Sequence, residues 1–422
     1  MDSIGSSSSD RSDDSPRTSD VVIGIASYNN AATIGAVARA ATIGLGLSQS
    51  AGCIIVADGG STDGTVDRAR QAIDGAVPVI SAEYRRPHID PLRAPYHGLP
   101  GRPAAIRTVL LAARERHAKA CAFLDASLTS VTPDWVPSLV DPIHSEIDYV
   151  SPYYVRHVHE GAITKSIVSP LFRALYGLRL RQPAAGEFGC SSQFLRHVLD
   201  QRFWDAEEAK TGIDLWLAST AATGTFKMSE VVLGVRTYEA RPDAPDLSTT
   251  LTQVASAVFA DVEARVDTWQ RVRGSRPVPR SGDVHIPQGR SAGIDIEAMR
   301  GAFNLGYTGL REVWASVVPP RTVLEIKKLA ETPTSSFRFG DDLWAEIVYD
   351  FALAYRSRSI PREHLLGALT PLYLGWLAAF LLKVGDADVV QEENRLEQLC
   401  LAFEAKKSYL ISGWRWPERF RA

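Results

Sequence analysis

Four short apolar runs, each separated from the next by a helical pattern, constrain this chain more than any other feature. They are Val21–Ala26, Cys53–Val56, Val77–Ala82 and Ala120–Leu124. Their length and unbroken apolar character fit strands buried on both faces. The first helical pattern opens at Thr33 and runs through Ile34, Val37, Ala38 and Ala41. The next starts at about Thr65. A third, Gly101–His117, lines Ala105, Ile106, Val109, Leu110 and Ala113 along one face. Strand and helix alternating at this spacing predict a mostly parallel sheet with helices on both faces.

The runs end in polar residues. Val21–Ala26 leads into Ser-Tyr-Asn-Asn, and Cys53–Val56 into Ala-Asp-Gly-Gly-Ser-Thr-Asp-Gly-Thr. Ala120–Leu124 leads into Asp125-Ala126-Ser127. In open α/β sheets ligands bind outside the carboxyl ends of strands. Read alone, Asp125 either caps the following turn or meets a nucleotide diphosphate or its metal ion. Two common nucleotide schemes are missing. Gly44-Leu45-Gly46 lacks a third glycine and follows a helical run, and no Gly-Lys-Ser/Thr occurs.

The ordered trio of tips resembles the nucleotide-sugar half of a GT-A fold glycosyltransferase. Further pieces narrow the resemblance: LPGRPAAIR at 99–107, PAAGEFGCS at 183–191, TGIDLWLA at 211–218 and LGVRTYEARPD at 233–243. Together they are similar to the retaining, family 2-type branch that includes glucosyl-3-phosphoglycerate synthase and mannosylglycerate synthase, over roughly residues 20–260. The resemblance implies an α/β GT-A domain that moves a hexose from a nucleoside-diphosphate sugar to a small polar acceptor, with a C-terminal all-α extension. It implies that Ala26, Ser27, Tyr28 and Asn30 line the base and ribose, that Asp58 accepts a hydrogen bond from a base N–H, and that Gly60 lets the backbone approach the donor. Arg102 falls where the family carries a Lys on the diphosphate, and Asp125, Ala126 and Ser127 fall on its metal-binding DxD motif.

Breaking a glycosidic bond builds charge on the diphosphate, which a divalent cation or fixed positive side chains must neutralise. Here the sequence departs from the family. The DxD reads Asp-Ala-Ser, and the family's metal-binding His is Tyr238. One carboxylate, a hydroxyl and a phenol make a poor cage for Mg or Mn. Three outcomes stay open: weak Mg or Mn use through Asp125 and diphosphate oxygens, charge carried by Arg102 and Arg236, or loss of activity leaving a nucleotide-sugar binding protein. By itself, Arg102 is either a phosphate ligand or a solvated loop charge. Glu187 either bonds a sugar hydroxyl or caps a helix starting near Ser191. Asp214, amid apolar residues at helical spacing, either handles the acceptor hydroxyl or is a helix N-terminal charge. Glu187 and Asp214 are the candidate catalytic carboxylates.

Arg156, His157, His159, Lys165 and Arg173 either receive an acidic, glycerate-like acceptor or are exposed loop charges. Residues 1–19, rich in Ser and Asp, are expected to be disordered and are not a signal peptide. Residues 261–292 read as a linker or loop and 293–422 as a helical domain, its apolar stripes packing on the catalytic domain or on a second copy in a homodimer. Leu365–Leu382 is expected to be a buried core helix and not a membrane span. Trp414 and Trp416 either close over an acceptor or staple the tail. A net charge of -3 gives no reason to expect nucleic acid. Four widely spaced cysteines suggest neither disulfides nor zinc, and a reduced, cytoplasmic setting.

Overall fold

The computed structural model describes residues 18–73, 75–85, 101–155, 161–205, 209–239, 246–283, 295–384 and 389–416. The first half runs β1 (Val21–Ser27), α1 (Ile34–Leu47), β2 (Gly52–Asp58), α2 (Thr65–Ile73), β3 (Val79–Glu83), α3 (Arg102–Glu115), β4 (Ala120–Asp125), α4 (Trp135–His144) and β5 (Tyr149–Tyr154). Then come α5 (Ser169–Tyr176), β6 (Leu178–Arg179), β7 (Phe188–Ser191), α6 (Ser192–Leu199), α7 (Ala209–Thr223), β8 (Met228–Gly234), α8 (Leu247–Ala264), α9 (Val266–Trp269), β9 (Arg276–Pro277) and β10 (Arg280–Ser281). The C-terminal helices are α10 (Ile296–Val317), α11 (Pro320–Glu331), α12 (Asp341–Ser357), α13 (Arg362–Val384) and α14 (Val389–Arg415).

The main sheet has the order β10-β8-β5-β7-β4-β1-β2-β3. Its pairs are parallel except those of β7, which runs antiparallel to both β4 and β5. β1, β2 and β4 are covered on both sides, which is why each reads as an unbroken apolar run. Their alternate residues feed two cores. Val21, Ile23 and Ile25 pack with Ile54, Val56 and Leu124 under α1 and α4. Val22, Ile55, Cys121 and Phe123 face α3, in a cluster that continues without a break into α12, α13 and α14. This is the mostly parallel α/β architecture with a C-terminal helical region expected from the sequence.

The fit of α4 on β7 depends on a glycine. A Cβ on Gly189 would lie 2.1 Å from the Leu139 carbonyl oxygen. Backbone, unlike a side-chain tip, cannot swing aside, so Gly189→Ala is expected to cost about 3 kcal/mol. A lowered urea midpoint would register this. An unchanged midpoint would show that α4 slides freely.

The segment expected to be a linker is more ordered than its composition suggested. Residues 261–264 finish α8, Val266–Trp269 is α9, and β10 adds an edge strand beside β8. The Pro-, Gly- and Arg-rich composition conceals this because a two-residue edge strand needs no apolar alternation. Helix α13 is the one helix among the described residues long and apolar enough to cross a membrane, but 72% of its most apolar window is buried inside the fold. Most of the serine-rich N-terminal stretch lies outside the described residues.

The C-terminal helices are joined to the sheet half by charge as well as by apolar packing. Arg173 on α5 reaches Glu397 and Glu404 on α14, each at 2.6 Å. Lys165 meets Glu392 at 2.7 Å and Arg181 meets Glu393 at 2.5 Å. Lys165 and Arg173 are therefore not exposed loop charges but ion-paired to α14, while Arg156, His157 and His159 lie outside the described residues. Trp414 packs edge-on against Trp269 with ring centroids 5.3 Å apart, as a staple would, whereas Trp416 is 59% exposed.

Candidate functional site

Register brings the strand tips together. Ala26 lies beside Asp125 across β1 and β4, and Ser27 beside Asp58 across β1 and β2. The polar residues after the tips then bond to one another. Asp58 Oδ1 accepts from the hydroxyls of Ser27 and Ser61, at 2.8 and 2.6 Å. Its Oδ2 accepts the N–H groups of Gly60 and Ser61, at 3.0 and 2.7 Å. The four lone-pair positions of the carboxylate are thereby taken. Asp58 shapes its own turn here, and a base N–H would have to displace one of these donors. Gly60 supports the turn with φ +82°, a conformation that suits glycine. Asn30 is buried; its amide oxygen accepts from Tyr28 N–H, while Tyr28 itself is half-buried. Thr33, at the start of α1, donates to the Ala126 carbonyl at 2.7 Å and ties the first tip to the third. The mostly parallel sheet flanked by helices matches the expectation for the first 260 residues, while the antiparallel β7 beside the central carboxylate tip was not foreseen.

Arg102 is the first residue of α3, just after Gly101 in a left-handed conformation with φ 76°. That turn brings the side chain into the sheet edge, where only 1% of the residue is exposed. Nε and Nη2 fork onto Asp214 at 3.0 and 2.9 Å. Nη1 lies 3.4 Å from Asp125 Oδ2, and Nη2 also donates to the Gly186 carbonyl. The guanidinium stacks over Phe123 at 5.1 Å. Burial works against its charge, but Asp214 first, then Asp125 and Glu187, outweigh burial and hold the pKa above the ordinary arginine value. Arg102 is thus no solvated loop charge. Asp214, on α7, is no helix-end charge either, since its carboxylate receives the arginine fork. Asp125 Oδ1 accepts both the N–H and the hydroxyl of Ser127, at 2.8 and 2.7 Å.

A second pair closes the other side. Glu187, just before β7, has a fully buried side chain. Arg236 Nη2 donates to its Oε1 at 3.0 Å, and Tyr154 Oη donates to its Oε2 at 2.7 Å. Arg236 Nε is 3.0 Å from Oε2 but is turned out of hydrogen-bonding line. Burial opposes the Arg236 charge; Glu187, Tyr154 and Asp125 outweigh it and raise its pKa. Glu187 is therefore no helix cap, since Ser191 caps α6 by accepting Phe194 N–H, and both of its oxygens are engaged by Arg236 and Tyr154. The segment after β8 lies along the third tip, with Glu239 N–H bonded to the Ser127 carbonyl at 2.9 Å. Tyr238 pairs with Leu128 there. Its ring is 60% exposed and lies under the Arg236 guanidinium at 5.4 Å.

The described cluster holds Asp125, Asp214 and Glu187 against Arg102 and Arg236, one negative charge in excess. The donor set fits a divalent ion poorly. Mg takes about six oxygen ligands, commonly with one or two carboxylates among them. Asp125 is the only carboxylate at the DxD position, and no group of three or more His, Cys, Asp or Glu that could hold a metal occurs among the described residues. Ser127 Oγ is engaged with Asp125, and Tyr238 is a phenol facing a cation.

No protein-family model matches the chain, and neither does any curated protein. Among solved structures it is similar to glucosyl-3-phosphoglycerate synthase from Mycobacterium tuberculosis. The complex with Mn2+, UDP and glucosyl-3-phosphoglycerate is 25% identical over 58% of this chain and 80% of that one, with a TM-score of 0.42. The complex with Mg2+ and UDP is 25% identical over 58% and 79%, TM-score 0.42. The complex with Mn2+, UDP-glucose and glycerol 3-phosphate is 25% identical over 58% and 80%, TM-score 0.41.

Of the residues singled out in the sequence, Ala26, Ser27, Asp58, Arg102, Asp125, Ala126, Ser127, Glu187 and Asp214 are buried around the tips of β1, β2, β4 and β7, and the side chain of the half-buried Arg236 is 6% exposed. Sequence reasoning missed Tyr154 and Thr33. Tyr154 ends an ordinary-looking strand, and only its partner Glu187, far along the chain, gives it a role. Thr33 reads as a helix start and shows no side-chain cap bond; its hydroxyl goes to a neighbouring tip.

Proposed function

We propose that this chain is a glycosyltransferase that moves a hexose from a nucleoside-diphosphate sugar to a small polar acceptor with retention of configuration. The observation that carries the proposal is the meeting of three strand tips on a buried carboxylate–guanidinium cluster at the carboxyl edge of the sheet. Fixed cations at that place oppose the charge that grows on a departing diphosphate. Retention is supported by the state of the two carboxylates: Asp214 is forked by Arg102, and Glu187 is enclosed by Arg236 and Tyr154. Inversion would ask one of them to act as a general base within reach of the acceptor hydroxyl. Mg or Mn would have Asp125 as its one carboxylate here and would take its other ligands from diphosphate oxygens and water.

The second reading is a nucleotide-sugar binding protein without turnover, favoured by the same internal pairing of Asp58, Glu187 and Asp214. Labelled UDP-, GDP- and ADP-hexoses, offered with glycerate-type acids and neutral polyols as acceptors, separate the two: transfer supports the enzyme, and tight binding without transfer the binding protein. Asp125→Ala is expected to weaken donor binding by about tenfold or more, since it frees Ser127 and removes one partner of Arg102. Unchanged donor affinity in that variant would remove the third tip from the site.

A further inference from the structure

Asp125 stands where a divalent ion would be held, and a guanidinium is already beside it. Arg102 Nη1 is 3.4 Å from Oδ2, and Oδ1 is occupied twice by Ser127. Arg236 is near enough for Asp125 to help keep it charged. The two arginine side chains are 2% and 6% exposed, so water screens them little. A dication on Asp125 would enter between two buried positive charges. Asp214 and Glu187 are already committed to those two charges, and the groups left beside Asp125 to complete an ion's ligands are a hydroxyl and a phenol, both neutral.

We propose that the guanidiniums of Arg102 and Arg236 take the place of the metal ion, so that this protein binds the diphosphate of its donor without a divalent cation. The inference rests on the donor-site reading above. Arginine has the right chemistry, since it stays charged at any relevant pH; the fork of Arg102 is spent on Asp214, which leaves Nη1, 3.4 Å from Asp125 Oδ2, to meet a phosphate oxygen. Both arginines are held before any ligand arrives, Arg102 by Asp214 and Phe123, Arg236 by Glu187 and the ring of Tyr154 at 5.7 Å. Such fixed cations need no reorganisation when charge develops. Arg102 also opens a 14-residue helix, whose dipole places partial positive charge at this end.

Calorimetric titration of UDP, GDP and ADP into the full chain, once with excess EDTA and once with excess Mn2+, tests this. The dissociation constant of whichever nucleotide binds is expected to agree within about threefold between the two conditions. Tightening by about tenfold or more with Mn2+ would overturn the proposal and leave the donor-site reading standing. If no nucleotide bound in either condition, both would fall. Glu187→Gln with Arg236→Gln removes a buried charge pair together, so neither charge is left unpaired and the fold is kept; melting temperature confirms this. In EDTA that double variant is expected to lose about tenfold in affinity, and an unchanged affinity would also overturn the proposal. Ser127→Asp with Tyr238→His, which restores the ligand types absent here, is expected to make UDP binding respond to Mn2+. A double variant as indifferent to Mn2+ as the parent would count against the replacement of metal by arginine.

Discussion

Arg102→Met is expected to destabilise the fold by about 3–5 kcal/mol and to abolish nucleotide binding. The guanidinium is shared by Asp125, Asp214 and the Gly186 carbonyl, all within a region closed to solvent. Methionine fills much of the same volume over Phe123 but leaves two buried carboxylates without their cation. The penalty is for that exposure of unpaired charge to a poor solvent, and not the net worth of the original pairs. Arg102→Lys keeps the charge and loses the fork. A single ammonium cannot meet both carboxylates and the carbonyl with the same geometry, so an intermediate loss is expected. Urea midpoints for the two variants, with UDP affinity measured alongside, check the ranking. Equal midpoints for Met, Lys and the parent would show that α3 is seated by apolar packing alone.

Asp350→Asn is expected to stabilise the protein at pH 8 and to flatten its stability between about pH 4 and pH 8. Asp350 lies on α12 and is 3% exposed. Burial pushes its pKa up to about 8; the Tyr409 hydroxyl at 2.5 Å opposes the rise, Glu346 adds to it, and Arg321 opposes it. Its other oxygen, Oδ2, has no hydrogen-bond partner. Two cations are close by, but Arg321 and Lys406 are spent on Glu346, each at 2.8 Å. Unfolded, the group would ionise near 3.8; folded, it keeps its proton to about 8. Between those values the unfolded chain holds fewer protons, so stability is full below about pH 4, falls as pH rises, and levels off above about pH 8. The gap of roughly four units sets a ceiling of about 5–6 kcal/mol on the loss. Asparagine cannot ionise, and its carbonyl can still accept from Tyr409. At pH 4 the variant should be no more stable than the parent, because its amide is buried there too. Melting curves across this range decide the matter, and parallel pH profiles for parent and variant would mean that Asp350 is ionised in the fold.

The sheet was legible because each of its central strands is buried on both faces, and burial of that kind leaves an unbroken apolar run. Its carboxyl tips were legible for a related reason: Asp58 and Asp125 sit where an apolar run stops, and a carboxylate at such a point shapes the turn, as both do here, or meets a ligand. The chemistry of pairing was much harder to read. Glu187 looked like a group turned toward substrate because nothing nearby in sequence marks its partners; Tyr154 and Arg236 reach it from other strands. Lys165 and Arg173 looked open to an acidic acceptor for the same reason, since the glutamates that claim them lie on the last helix. Local pattern reports which residues are buried, whereas charge pairing is decided by topology, and a short edge strand such as β10 leaves almost no pattern at all.

The ion pairs between α5 and α14 have a consequence for how the polypeptide could be divided. A chain ending before residue 389 would turn the guanidinium of Arg173, now 4% exposed, and the ammonium of Lys165 out over a freshly uncovered oily surface, with every acidic partner named above removed. The last helix is therefore a lid on the hydrophobic interior of the sheet-bearing half, and any attempt to isolate that half as an independent module must first replace what the lid does.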